Sequence, residues 1–126
     1  MTEKKQIYKC AVCGQVIEVL EPGAGELVCC GKPMQNQTPN TEDASLEKHV
    51  PQIRKDGDCT VVSVGSAPHP MIPAHYIGWV ELLLPCGKSI RSFLTPGDLP
   101  EVRFQVPYDE KMHARAWCNI HGLWSK

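Results

Sequence analysis

Cys10, Cys13, Cys29 and Cys30 fall within the first 30 residues, while all five histidines, His49, His69, His75, His113 and His121, lie beyond residue 48. A piece of about 40 residues rarely buries enough apolar surface to fold unaided, so the cysteine-bearing end needs a cross-link or a metal. Cys10-Ala11-Val12-Cys13-Gly14 has the spacing with which one tight turn aims two thiolates and backbone N–H groups at a single ion, with Gly14 free to take positive φ. Cys29-Cys30-Gly31 is less usual: adjacent side chains diverge, and both reach one metal only if the backbone bends between them. Tetrahedral four-sulfur sites take zinc or iron, and ligand softness does not choose between them. On ligand set alone, a structural zinc is at least as good a reading as iron. A vicinal Cys29–Cys30 disulfide is the lesser alternative, disfavoured in a reducing compartment. Either metal would supply folding energy that so small a core cannot.

The chain of 126 residues accommodates such a module followed by one ordinary domain. Its N-terminus, Met1-Thr2-Glu3-Lys4-Lys5-Gln6, leads into no apolar run of signal-peptide length, and no window approaches a membrane span. A cytoplasmic protein is expected. There, seven cysteines, an odd number, read as metal ligands or free thiols rather than a disulfide framework. The formal net charge of −1 provides no basic field to draw the chain onto nucleic acid or an anionic membrane.

Gln35-Asn36-Gln37-Thr38-Pro39-Asn40-Thr41 is polar, contains proline and has no apolar period, as a linker would. The boundary is placed near residue 37, giving a metal module over 1–37 and a second domain over 38–126. Beyond it, short β-type runs alternate with turn residues. Val102, Phe104 and Val106 alternate with Glu101, Arg103 and Gln105, a period of two. Cys59–Val64, Tyr76–Leu84, Ser89–Leu94 and Met112–Cys118 are further strand candidates, separated by Gly- and Pro-containing turns. Six or seven strands at this spacing predict an antiparallel sandwich. Only Thr41–Glu47 has helix-like composition, and eleven prolines and ten glycines count against a helical protein.

Within the β domain, Cys118-Asn119-Ile120-His121-Gly122 repeats the two-residue spacing with mixed sulfur and nitrogen donors, on a turn after a strand. Pro68-His69-Pro70 stiffens the backbone on both sides of one imidazole. His75 follows Pro73 at the start of a strand candidate, and His49 precedes Val50-Pro51. Their joint occurrence beside Cys118 in stiffened loops favours one shared metal for His49, His69, His75 and His121. His113, in the charged run Asp109-Glu110-Lys111-Met112, reads as a surface residue. Cys59 reads as a buried strand residue and Cys86, in Pro-Cys-Gly, as a solvent-facing thiol.

Several ordered motifs together are specific: Tyr8-Lys9-Cys10-Ala11-Val12-Cys13-Gly14, Leu27-Val28-Cys29-Cys30-Gly31, Glu47-Lys48-His49-Val50-Pro51, Gly65-Ser66-Ala67-Pro68-His69-Pro70-Met71, His75-Tyr76-Ile77-Gly78-Trp79 and Cys118-Asn119-Ile120-His121-Gly122-Leu123-Trp124. Over essentially its whole length the chain resembles desulfoferrodoxin, the two-iron class of superoxide reductase. The resemblance implies a desulforedoxin-like module whose Cys10, Cys13, Cys29 and Cys30 hold a rubredoxin-type iron. It implies an immunoglobulin-like β-sandwich whose second iron takes His49, His69, His75 and His121 in a plane with Cys118 axial, leaving one position open, and it implies neither haem nor flavin. Pro85-Cys86-Gly87 and Tyr108–His113 are less typical of the family but carry no ligand.

The implied activity is one-electron reduction of superoxide to hydrogen peroxide without release of dioxygen, with rubredoxin or a similar carrier as donor and a homodimer in which the small modules pair. Four neutral imidazoles and one thiolate leave a ferrous centre net positive, which favours binding of an anion, and the axial thiolate pushes electron density onto iron. Lys48 would steer superoxide and orient a proton-donating water, and Glu47 would close onto the open position to help displace peroxide. On residue type alone both are ordinary surface charges. Two rivals stand beside this reading: an electron carrier using both metals as relays, which predicts a saturated second iron, and a structural zinc module. The net charge and the lack of basic or aromatic clustering count against a nucleic-acid role for the latter.

Overall fold

The computed structural model describes residues 1–42, 49–67 and 69–126. Among these, every regular element is a strand, and no helix is long and apolar enough to cross a membrane. The chain divides into two compact units, Met1–Thr38 and Pro39–Lys126.

In the first unit, β1 (Ile7–Lys9) pairs antiparallel with β2 (Val16–Glu18) on one side and β5 (Gln35–Asn36) on the other. β3 (Val28–Cys29) and β4 (Lys32–Pro33) form a separate hairpin. Ile7 and Cys10 are the module's most buried apolar side chains. The reading of Gln35–Thr41 as a linker is corrected at its start. Gln35 and Asn36 pair with Lys9 and Tyr8, and the Gln37 N–H donates to Ile7 O at 2.8 Å. β1 offers backbone donors and acceptors on both edges, and a two-residue polar strand meets one edge without burying either side chain. It therefore shows no apolar period.

The described residues of the second unit place seven strands in two antiparallel sheets. β6 (Pro51–Asp56), β7 (Cys59–Val64) and β10 (Glu101–Phe104) form the first, in the order β10-β7-β6. The second comprises β8 (Ile77–Leu83), β9 (Ser89–Phe93), β11 (His113–Cys118) and β12 (Gly122–Ser125), in the order β12-β11-β8-β9. This is the expected sandwich. Between the sheets, Val62, Val64, Val80, Leu82, Phe104, Ala114, Ala116 and Cys118 form the core, with Val102 and Val106 packed against it. The strand expected through Val106 stops at Phe104, although Val106 keeps its inward place. Thr41 and Glu42 are not helical, and the remainder of the expected helical segment, 43–47, lies outside the described residues.

β8 and β11 form the spine of the second sheet. Their ladder runs from His113↔Leu83 to Trp117↔Trp79 and then shifts, so that Cys118 pairs with Ile77 and Gly78 is the extra residue. A Cβ at Gly78 would lie in ordinary van der Waals contact with the Trp117 side chain, 3.7 Å away. On the face away from the core, Glu81 is 1% exposed and accepts from both neighbouring strands: Arg115 Nε on β11 at 2.6 Å and Arg91 on β9 at 2.5 Å. Arg91 also lies over the Trp79 ring, 4.5 Å from its centroid. One carboxylate thus ties three strands. Glu81→Ala is expected to destabilise the sandwich by about 3 kcal/mol, because it leaves two guanidinium groups without their shared counter-charge. Urea denaturation checks this, and a loss below about 1 kcal/mol would mean the pairs are worth no more than surface ion pairs.

Candidate metal centres

All seven cysteines are free. The Sγ atoms of Cys10, Cys13, Cys29 and Cys30 lie within 4.8 Å of one another. Cys13 Sγ is 3.7 Å from Cys29 Sγ, which is 3.9 Å from Cys30 Sγ. A tetrahedron of metal–thiolate bonds of about 2.3 Å has sulfur–sulfur edges of about 3.8 Å, so the pocket already has the spacing of a four-thiolate site.

Two backbone turns produce it. After β1, Gly14 takes φ 80°, and its N–H donates to Cys10 O at 3.0 Å to close the knuckle. The Val12 and Cys13 N–H groups donate to Cys10 Sγ at 3.4 and 3.5 Å. The divergence of adjacent cysteines is resolved by the β3–β4 hairpin: Cys29 pairs with Lys32, and the two loop residues, Cys30 and Gly31, have φ 53° and 74°. Positive φ at both centres is the type I′ hairpin geometry. Cys30 bears the cost of a left-handed non-glycine residue, and in that conformation its sulfur comes round beside that of Cys29. The Cys13 N–H outweighs the opposing effect of burial and, with the Val12 N–H, lowers the Cys10 thiol from 9.0 to about 6. Hydrogen bonding to Cys10 and Cys13 and burial raise Cys29 to about 12.

The second cluster gathers at one end of the sandwich. Ligand atoms of His49, His75, Cys118 and His121 lie within 4.8 Å of one another. His69 stands beside them, its ring centroid 4.6 Å from those of both His49 and His75. The four imidazoles close a ring, with centroid separations of 5.1 Å for His75–His121, 4.8 Å for His49–His121 and 6.2 Å across the His49–His75 diagonal. That is a near-square of imidazole rings. Cys118 Sγ lies 3.7 Å from His121 Nδ1, which is 3.1 Å from His49 Nε2. The His121 N–H points at Cys118 Sγ at 3.4 Å.

Exposure divides the site into two sides. Cys118 is 0% exposed and belongs to the core, and His49 and His69 are buried, whereas His75 is half-buried and His121 is exposed. Cys118 ends β11 and Gly122, with φ 82°, opens β12, so the Cys-x-x-His motif occupies the turn of that hairpin. His69 Nδ1 lies 2.7 Å from Pro70 O. A proton on Nδ1 satisfies that carbonyl and puts the lone pair on Nε2, the arrangement that orients a metal-binding imidazole.

Trp124 was not singled out by the sequence reading. Its ring stacks on His49, 4.5 Å between centroids and 15° between planes, and its Nε1–H donates to His121 O at 3.2 Å. It braces two of the four imidazoles; its sequence signal is an aromatic strand residue three positions after a candidate ligand. His113 is exposed at the start of β11, Cys86 is exposed in the β8–β9 turn, and Cys59 is half-buried at the start of β7; none of the three belongs to either cluster. Glu47 and Lys48 lie outside the described residues.

A four-thiolate knuckle module followed by an antiparallel sandwich with a His4Cys cluster defines a non-haem metalloprotein with two distinct metal sites. Residues 2–36 match the family model for the desulfoferrodoxin N-terminal domain, and residues 41–126 match that for desulfoferrodoxin. The chain belongs to the desulfoferrodoxin family. It is 52% identical to the desulfoferrodoxin of Syntrophotalea carbinolica, over 99% of this chain and 98% of that one. It is 50% identical to a desulfoferrodoxin homolog of Archaeoglobus fulgidus, over 98% of each. The crystal structure of the superoxide reductase from Treponema pallidum superposes with a TM-score of 0.74 at 28% identity, over 96% of each chain.

Stripping metal from the thiolate site with a chelator under reducing conditions is expected to unfold Met1–Thr38, whose ordering depends on that cross-link, while the sandwich strands persist. Amide hydrogen exchange checks this: protection should vanish in β1 and β2 and survive in β8 and β11. Retained protection in β1 would mean the module folds on its own core.

Proposed function

We propose that this chain is a superoxide reductase, reducing superoxide by one electron to hydrogen peroxide without releasing dioxygen. The observation that carries this reading is the near-square of four imidazoles adjoining a wholly buried cysteine, with His121 exposed to solvent. The donor set fits iron, since imidazole and thiolate both suit it. Iron held by His49, His69, His75, His121 and Cys118 would supply the electron and a net positive charge that attracts a small anion.

The chain's own residues then divide the work. Cys118, inside the core, keeps its thiolate out of water and receives the His121 N–H. The imidazoles are held in orientation by Pro70 O at His69 and by Trp124 at His49. The exposed side, at His121 and His75, gives superoxide its approach. Balance requires one electron and two protons for each superoxide. Lys48, adjacent to His49 in sequence, serves as the point charge that steers the anion and orients a proton-donating water, and Glu47 assists release of peroxide.

Cys10, Cys13, Cys29 and Cys30 would hold the other iron, in a rubredoxin-type centre of electron-transfer character whose sulfur spacing suits it. Because each turnover consumes a single electron, the partner that fits is a one-electron carrier protein such as rubredoxin. The working form proposed is a cytoplasmic homodimer paired through the small modules, with domains over 1–37 and 38–126.

Cys118→Ser is expected to abolish reductase turnover while leaving the visible bands of the four-thiolate centre intact. Loss of both signals would mean the sites are not independent, and retained turnover would remove Cys118 from the mechanism. The rate with superoxide should fall several-fold between about 0.01 and 0.15 M ionic strength, as screening shortens from roughly 30 to 8 Å. Lys48→Ala should lower the rate and flatten that dependence. A rate indifferent to salt in the parent protein would contradict steering.

A further inference from the structure

Asn119, between the ligands Cys118 and His121, makes three hydrogen bonds to the two residues that flank a third ligand. Its side-chain Oδ1 accepts the Tyr76 N–H at 2.8 Å, its Nδ2 donates to Ala74 O at 3.1 Å, and its own N–H donates to Tyr76 O at 3.2 Å. The carboxamide behaves as one more peptide unit, offering an acceptor and a donor to the strand opposite. We propose that Asn119 is a positioning residue of the His4Cys centre, a side-chain rung that fixes His75 relative to Cys118 and His121.

The need for such a rung follows from the bulge. The β8–β11 ladder ends at Cys118↔Ile77, directly after its register shift at Gly78, and the chain segments that carry the ligands continue beyond it on both sides. From that point one backbone bond, Asn119 N–H to Tyr76 O, and the two bonds of the Asn119 carboxamide are what tie Ala74–Tyr76 to Asn119. A shift of about 1 Å between such segments is enough to disturb a reacting centre by orders of magnitude. Asn119 spans the gap where the backbone ladder stops. On its other side, His75 is closed into a turn by reciprocal bonds with Ile72, His75 N–H to Ile72 O and Ile72 N–H to His75 O, each 3.0 Å. His75 is therefore held by a turn before it and by the Asn119 carboxamide around it.

Only an amide on a short stem meets both demands. Aspartate has the same shape and can accept from the Tyr76 N–H, but it cannot donate to Ala74 O. Alanine does neither. This inference rests on the His4Cys reading of the site, and it concerns how the ligands are placed rather than which substrate is reduced.

The experiment compares the parent protein with Asn119→Ala and Asn119→Asp, both as iron-loaded full-length chains and after cobalt(II) replacement at the second site. The expected result is a displaced thiolate-to-iron absorption band and a shifted midpoint potential at the His4Cys iron, with the bands of the four-thiolate centre unchanged. Cobalt(II) affinity at the second site should fall about 10- to 100-fold in both variants, the range typical for loss of groups that orient metal ligands. Variants with the parent's band, potential and cobalt affinity would overturn the proposal. The Tyr76 amide of the parent protein supplies a reading that no variant's folding can spoil: slow hydrogen exchange supports the rung, and exchange as fast as in a free peptide overturns it. Failure of the parent protein to reduce superoxide would sink the functional reading but leave the cobalt and exchange results to decide the role of Asn119.

Discussion

Pairing between β8 and β11 is the constraint on which the rest of the sandwich depends. Along its inner face the ladder aligns Val80 and Leu82 with Ala116 and Ala114, and these small partners let the opposing sheet close over the core. Along its outer face it sets Glu81 opposite Arg115, with Arg91 on the next strand. At its end it delivers Cys118, by way of the Gly78 bulge, into the core beside the imidazoles. Bulges of this kind commonly re-aim side chains next to active sites. A one-residue slip of β11 would turn Cys118 to the outer face and remove the thiolate from the cluster.

The two metal sites use opposite structural means. In Met1–Thr38 the thiolates stand on short turns over a minimal core, with Cys13 and Cys30 exposed and only Cys10 buried, so a bound metal would add the cross-links that the core does not supply. In Pro39–Lys126 the sandwich has a core of its own, and the ligands are assembled onto it from the end of β11, the β11–β12 turn, the segment just before β6 and the loop between β7 and β8. That difference suits a relay site in the first unit and a site of chemistry in the second. A preorganised, half-sheltered cluster can keep one face for substrate, whereas four thiolates around a tetrahedral ion leave none.

Much of this was legible in the sequence because the informative residues are chemically unusual. Cys-x-x-Cys, the vicinal cysteines and proline-flanked histidines constrain the backbone locally; the four thiols gather as one cluster and His49, His75, Cys118 and His121 as another, with the His69 ring beside them. Short β-type runs bounded by turn residues marked β7 to β11 to within a residue or two. Features set by pairing rather than by composition were not legible. Gln35–Asn36 is a strand only because β1 has an open edge, and Cys30 reaches the pocket only through a hairpin whose φ angles its residue type disfavours. Trp124 and Asn119 act through their position on β12 and in the β11–β12 turn. Neither carries a signal separable from ordinary packing or turn chemistry in one sequence.

The central claim is that the His4Cys centre passes one electron to superoxide and produces peroxide alone. The most direct measurement mixes the fully reduced, iron-loaded protein with superoxide under anaerobic conditions, following peroxide, dioxygen and the thiolate-to-iron band together. One-electron reduction yields a peroxide molecule for every superoxide consumed, no dioxygen, and return of the band as the centre oxidises. Dioxygen evolved in step with peroxide would identify a dismutase instead, and superoxide left untouched by a protein loaded with both irons would contradict the account altogether.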